Sequence, residues 1–274
     1  MRPYPFLPFR PYAFPPFRLS YGVRRIDLNA DLGESYGRWR VGHDSELLTL
    51  VSSANVACGF HAGDPLTLRD TLTIAAANGV TVGAHPGYPD LLGFGRRDID
   101  ASPAEVESWV LYQIGALRAL AGAARTEVRY VKPHGALYNK AARHPPTADA
   151  IAQGVHLAGG GLVLLGLPNT EILAAANRAK VRSAREAFPD RSYEPDGTLT
   201  PRSRPDALVS DPDECADRAA RMVLDGVVRA RDGTMVEIEP DSLCVHGDGP
   251  EAVPVLRAIR QRLEQSGVTI APFA

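Results

Sequence analysis

Seven short β-rich apolar runs, each followed by a longer helical stretch, constrain this chain more than any other feature. The runs are Val23–Asn29, Ala54–Cys58, Val80–Ala84, Val128–Lys132, Leu162–Leu165, Val181–Arg185 and Ser242–Val245. Strands alternating with helices build a parallel sheet, because parallel neighbours need a long crossover. The helices carry clear start signals. Asp64-Pro65 opens Leu66–Asn78 and Gly79 closes it, while Ser102-Pro103-Ala104-Glu105 is a capping box ahead of Val106–Leu120. Asp211-Pro212 and Gly249-Pro250 open two more helices. No glycine-rich dinucleotide turn follows a strand, so an α/β barrel is expected rather than a doubly wound sheet. Residues 25–274 contain no linker and read as one domain.

Residues 1–24 follow a different grammar, with six prolines, seven aromatics and no acidic residue. A disordered or surface-lying extension is expected there, with a Pro/aromatic docking arm as the alternative. The segment lacks the unbroken apolar core of a signal peptide, and no run approaches the ~20 apolar residues of a membrane helix. Lys plus Arg number 30 and Asp plus Glu 32, for a net charge of −2. That balance gives no footprint for nucleic acid or an anionic membrane. Cys58, Cys215 and Cys244 are too few and too scattered for a disulfide framework, so a reducing cytoplasm is the expected compartment.

The chemistry lies in the residues just past the strands. The first strand runs into Asn29-Ala30-Asp31-Leu32-Gly33-Glu34, the second into Gly59-Phe60-His61 and the third into His85-Pro86-Gly87. The fourth gives Lys132-Pro133-His134-Gly135, the sixth Arg185-Glu186, and the seventh His246-Gly247-Asp248-Gly249. In a parallel barrel these ends converge on one mouth, where active sites form. Period-two alternation places Asp27, Asn29 and Asp31 on one face of their strand, and likewise Lys132 and His134 on one face of theirs. Asp27 reads as a buried structural carboxylate, and Asn29 and Asp31 as lying nearer the opening.

A lone strand-end histidine is usually a hydrogen-bonded structural residue. Four of them (His61, His85, His134, His246) at four different strand ends are harder to explain that way, whereas His43, His144 and His156 read as surface residues. Arg96-Arg97 reads equally as a solvated pair or as a clamp for a carboxylate. Cys58 and Cys244 read as inert core thiols. Lysine occurs only at Lys132, Lys140 and Lys180, so a lysine kept in so arginine-rich a chain is a candidate for a role arginine cannot fill. There is no P-loop, no G-x-S-x-G elbow and no H-E-x-x-H.

The segments IDLNADLGE, LVSSANVACGFHAGD, GAHPGYPD with FGR, VKPHGALYN, REAFPDRSYEPDGTLTPRS and LCVHGDGPEA resemble the LamB/YcsF family, in order from Ile26 to Pro272. The resemblance implies a seven-stranded TIM-like barrel of the glycoside hydrolase/deacetylase type. It also implies ATP-dependent hydrolysis of the lactam 5-oxo-L-proline to L-glutamate, with 5-oxoprolinase subunits B and C as partners. On that chemistry Asp31 or His61 is the candidate base, His134 or His246 the candidate acid, and Lys132 stabilises developing negative charge. Asn29, His85, Arg96, Arg185, Gly247 and Asp248 are the candidate substrate-binding residues. Two alternatives stand beside this reading. One is a deacetylase-like hydrolase with a divalent metal on Asp31, His61, His85 and His134. The other is a non-catalytic protein that binds 5-oxoproline for its partners.

Overall fold

The computed structural model describes residues 24–274 except Asp248 and Pro250. The expected N-terminal extension, apart from Arg24, and the proposed start of the first strand at Val23 lie outside the described residues. In chain order the elements are β1 (Arg25–Leu32), α1 (Asp44–Leu47), β2 (Ser53–Ala57), α2 (Pro65–Ala77), β3 (Thr81–His85) and α3 (Pro103–Ala123). There follow β4 (Val128–Val131), α4 (Gly135–Ala141), α5 (Pro145–Ala158), β5 (Val163–Gly166), α6 (Glu171–Arg178) and β6 (Arg182–Ala187). The last are α7 (Pro212–Leu224), β7 (Val227–Arg229), β8 (Met235–Glu237), β9 (Ser242–Val245), α8 (Ala252–Gln265) and β10 (Thr269–Ile270).

Strands β1 to β6 and β9 pair in parallel in that order, and β9 returns to β1 to close a seven-stranded barrel. These are the seven runs visible in the sequence. β10 lies beside the start of β1, and β7 with β8 forms an antiparallel hairpin. The start signals act as expected. Asp64 accepts the amides of Leu66 and Thr67 at 2.9 and 3.1 Å, and Ser102 with Glu105 forms the reciprocal box. The last helix begins at Ala252 with no side-chain cap. No helix among the described residues is long and apolar enough to cross a membrane.

The main apolar core fills the space between barrel and helices, where Leu28, Val56, Val82, Leu164 and Leu243 meet helical residues such as Leu72, Ile114 and Leu256. Inside the barrel a polar column runs along β1, β2 and β9, beside a small apolar cluster of Tyr130, Val163, Leu165 and Ala184. Asp27 accepts hydrogen bonds from Ser52 Oγ at 2.7 Å, Ser53 Oγ at 2.6 Å and Ser242 Oγ. Above it, Asn29 donates to Ser242 Oγ and accepts from Asn55, both at 2.6 Å. Asn55 donates onward to Asp31 at 2.7 Å and accepts from the Tyr130 hydroxyl at 2.7 Å. Gly83 leaves room for the Tyr130 ring, which lies 2.2 Å from where a Cβ would stand.

Burial raises Asp27 from 3.8 to about 6, against the three serine hydroxyls that favour its anion. The folded chain therefore holds this proton more tightly than the unfolded chain. Its contribution favours the fold below about pH 4 and is lost as the pH rises through about 6. Asp27→Asn removes the cost of ionising a buried carboxyl. The stability of this variant relative to the parent should increase by on the order of 3 kcal/mol between pH 4 and neutrality, then level off. Urea unfolding of both proteins across that range measures it, and a pH-independent difference would contradict the assignment.

Candidate active site

β1 continues past its expected end to Leu32, which carries Asp31 to the top of the barrel beside Asn55 of β2. Lys132 and His134 follow β4 directly, and their parity with Tyr130 turns all three inward. His85 ends β3, and His246 follows β9. Residues singled out at four strand ends, those of β1, β3, β4 and β9, thus share one mouth, over a cleft of about 350 Å³ lined by Asp31, Glu34, His85, Lys132, His134 and His246. Arg96, Arg191 and Arg202 contribute to its walls, as does Tyr138.

Lys132 is the hub of the floor. Its Nζ lies 2.9 Å from Asp31 Oδ1, 3.2 Å from Glu186 Oε2 and 2.9 Å from Cys244 Sγ, with the Phe188 ring centroid 5.2 Å away. Burial opposes the charge, but the neighbouring Asp31, Cys244 and Glu186 hold the ammonium well above its usual range. Burial likewise opposes ionisation of Asp31, and the Lys132 ammonium holds it well below the carboxylate range. Asp31 is therefore a fixed anion and a poor base. Glu186 goes the other way, because burial outweighs the pull of Lys132 and raises it. Neither Glu186 oxygen receives a well-directed hydrogen bond, so this contact is an ion pair by distance alone.

Two histidine systems flank that floor. His246 Nδ1 donates to Asp190 Oδ2 at 2.7 Å, and the same carboxylate accepts the His246 amide at 3.0 Å. Burial opposes the Asp190 charge, yet His246 draws its carboxyl below the ordinary value. With Nδ1 committed to an acceptor, the lone pair of neutral His246 sits on Nε2. On the other side stand His85, His134, His61 and Glu34. His85 Nδ1 donates to the Lys132 carbonyl at 2.7 Å, and His134 Nε2 donates to the Phe94 carbonyl at 2.8 Å. The ring of His61 stacks on His134 with centroids 3.7 Å apart and planes within 5°. Burial, followed by neighbouring histidines, holds both His61 and His134 well below the usual imidazole range.

Several expectations need correction or refinement. Arg185 points away from the cleft and is bound to Asp241 and Glu239 at 3.0 Å each. Its neighbour Glu186 is the inward residue, since alternation on β6 turns Ala184 and Glu186 to the interior. Asn29 sits one layer below the mouth, inside the hydrogen-bonded column. His61 lies behind the cleft, facing a shallower depression beside Tyr36, Trp39 and Leu92. Gly247 is packed against the Asp31 carbonyl, 2.4 Å from where its Cβ would stand, and does not line the cleft. Asp248 lies outside the described residues. Arg97 of the arginine pair is bound to Asp90, while Arg96 reaches the cleft. Cys244 touches the central ammonium and is not a purely apolar core thiol. His43, His144 and His156 are exposed, as expected.

Glu34, Asp190 and Arg191 were not picked out from strand-end chemistry. Arg191 is almost fully buried, donates to the carbonyls of Thr200 and Ala207, and is lowered to about 10 by burial and by Arg202. It and Asp190 lie in the loop after β6, where no periodicity marks direction.

Comparison with known proteins gives this geometry its relatives. The A subunit of 5-oxoprolinase from Pyrococcus furiosus is 49% identical over 249 residues, covering 91% of this chain and 98% of that protein. Its counterpart from Thermus thermophilus is 53% identical over 91% of this chain and all of its own length. The crystal structure of a lactam utilization protein from Thermus thermophilus superposes with a TM-score of 0.87 at 52% identity, over 91% of this chain and 100% of that one. The family model for LamB/YcsF covers residues 26–274, from the first barrel strand to the last residue. With a match over the whole barrel and relatives about half identical along it, this chain belongs to the LamB/YcsF family.

Proposed function

We propose that this chain is the lactam-opening component of an ATP-dependent 5-oxoprolinase, converting 5-oxo-L-proline and water to L-glutamate as ATP is hydrolysed to ADP and phosphate. The observation that carries this reading is a buried ammonium and an aspartate-oriented imidazole facing one small cleft with guanidinium groups in its walls. The names of the relatives, which are A subunits of 5-oxoprolinase, point the same way. The substrate carboxylate is matched by Arg191 and Arg96. Water attacks the lactam carbonyl carbon as His246 Nε2 takes its proton. Lys132 stabilises the negative charge held at the carbonyl oxygen and the phosphoryl group it carries. When the carbon–nitrogen bond breaks, His246 returns the proton to the leaving ring nitrogen.

A lactam is a resonance-stabilised amide, and ATP activates it by phosphorylating the carbonyl oxygen. After water adds and the carbon–nitrogen bond breaks, the product is an acyl phosphate of glutamate, which a second water converts to glutamate and phosphate. This chain contains no P-loop, so the nucleotide site belongs to partner subunits B and C, and the barrel completes the reaction on an activated lactam. Such an intermediate hydrolyses if released, which favours a mouth sealed by a partner. Three unpaired buried thiols suit a reducing cytoplasm. The test is an assay of the purified chain with and without both partners, following glutamate and phosphate together. The chain alone should show no ATP-coupled ring opening, and the reconstituted complex should release both products in step. Robust ATP-dependent glutamate formation by the chain alone would place a nucleotide site here, and a complex that forms no glutamate would remove the lactam reading.

A further inference from the structure

We propose that Glu34, His85 and His134 hold a divalent first-row transition-metal ion at the rim of the cleft. The argument begins with protons. A carbonyl oxygen only accepts hydrogen bonds, so His85 Nδ1 and His134 Nε2, at 2.7 and 2.8 Å from the carbonyls of Lys132 and Phe94, must both carry hydrogen. The remaining nitrogens, His85 Nε2 and His134 Nδ1, then carry lone pairs in neutral rings. They face each other at 3.0 Å in a buried site. Two lone pairs do not hold that separation without a positive centre to share.

The spacing fits a metal. An ion with bonds of about 2.0–2.1 Å in tetrahedral geometry sets its ligand atoms about 3.3–3.4 Å apart. Glu34 Oε1 stands 3.5 Å from His134 Nδ1, and the two imidazole nitrogens are 3.0 Å apart. The ligating atoms of Glu34, His61, His85 and His134 all fall within 4.8 Å of one another. The rings of His85 and His134 are perpendicular, so two in-plane lone pairs can meet at one point. Each ring also donates its far N–H to a backbone carbonyl, the support that metal-bound histidines ordinarily have.

His61 has a different part. Its ring is parallel to that of His134, so the two lone pairs run side by side and cannot converge on one ion. Its Nε2 lies 3.3 Å from Glu34 Oε1 and donates to it, and its Nδ1 has no hydrogen-bond partner. His61 is a positioning residue for the Glu34 carboxylate. Asp31, expected from the sequence as a ligand, spends Oδ1 on Lys132 and Asn55. Its Oδ2 lies 3.5 Å from His85 Nε2, but Asp31 is not among the four residues whose ligating atoms cluster within 4.8 Å. Two imidazoles and one carboxylate suit zinc, cobalt, iron or nickel. All three ligands line the cleft, so the open coordination position faces it.

The test reads the metal and not turnover, so it stands or falls apart from the lactam reading. The full chain, stripped with a chelator and titrated with Co²⁺, should bind one equivalent and develop a visible absorption band that Zn²⁺ abolishes. Proton NMR of the cobalt form in water should show two strongly shifted exchangeable signals, from His85 Nδ1–H and His134 Nε2–H. Glu34→Gln and His85→Ala should each weaken cobalt binding at least tenfold, with circular dichroism reporting that the fold is kept. His61→Ala should weaken it by less. Should either ligand variant fail to fold, the NMR count on the parent chain decides. No binding at millimolar Co²⁺, or a single proton shared between the two imidazoles in the metal-free chain with cobalt binding elsewhere, overturns the proposal.

Discussion

Lys132→Arg should lose at least a hundredfold in kcat in the complete enzyme while the chain folds normally. The Lys132 ammonium is a compact charge enclosed by Asp31, Glu186, Cys244 and the Phe188 ring. A planar guanidinium needs more width and spreads its charge over a fork that these partners do not match. Lys132→Met should do more harm, because Asp31 and Glu186 then share a buried space without their cation. Removing one partner of a buried ion pair typically costs about 3–5 kcal/mol, so that variant should lose stability as well as activity. Steady-state kinetics with unfolding curves separate the two variants. Near-normal turnover of Lys132→Arg would reduce the residue to a generic positive charge.

Asp190→Asn should lower kcat on the order of 10³-fold with little change in KM. An asparagine can offer an N–H where the carboxylate only accepts, and the His246 ring then has reason to carry its proton on Nε2, the wrong nitrogen for taking one from water. His246→Ala should lose about as much, and the double variant little more than either single one, since two residues acting as a unit are not additive. Full turnover in Asp190→Asn would exclude His246 as the base and return that role to the other side of the cleft.

Seven strands were legible because each is a short β-rich apolar run alternating with helical stretches, several of which carry start signals. The mouth was legible because polar residues follow those runs directly. Legibility ends where a conspicuous charge competes with period-two alternation or where no alternation exists. On β6 the same parity that groups Asp27 with Asp31 selects Glu186 over Arg185, yet the half-buried arginine is the more conspicuous charge. Glu34 lies just past β1, after Gly33 has taken a positive φ of 71°, so strand parity does not give its direction. Asp190 and Arg191 lie in a loop whose course depends on contacts with Thr200 and Ala207, far from any repeating pattern. Asn29 shows the opposite limit: its face was predictable, but its depth depends on the stagger between β1 and β2.

The polar column inside the barrel also bears on how the chain avoids closing wrongly. Parallel strands accept many registers, and a slip of one residue turns every side chain to the other face. For β1 such a slip would press Asp27, Asn29 and Asp31 into the aliphatic layer beneath the helices and leave Ile26, Leu28 and Ala30 among serine and asparagine groups. Each misplaced carboxylate or amide would lose its partners in an apolar setting, at a cost of several kcal/mol. The clasp from Asp27 to Ser242 joins residues 215 positions apart, so the first and last barrel strands recognise each other by hydroxyl and carboxylate rather than by shape. Misaligned closure is thereby penalised at the seam, where a purely aliphatic interior would have let the ring settle one step out of place.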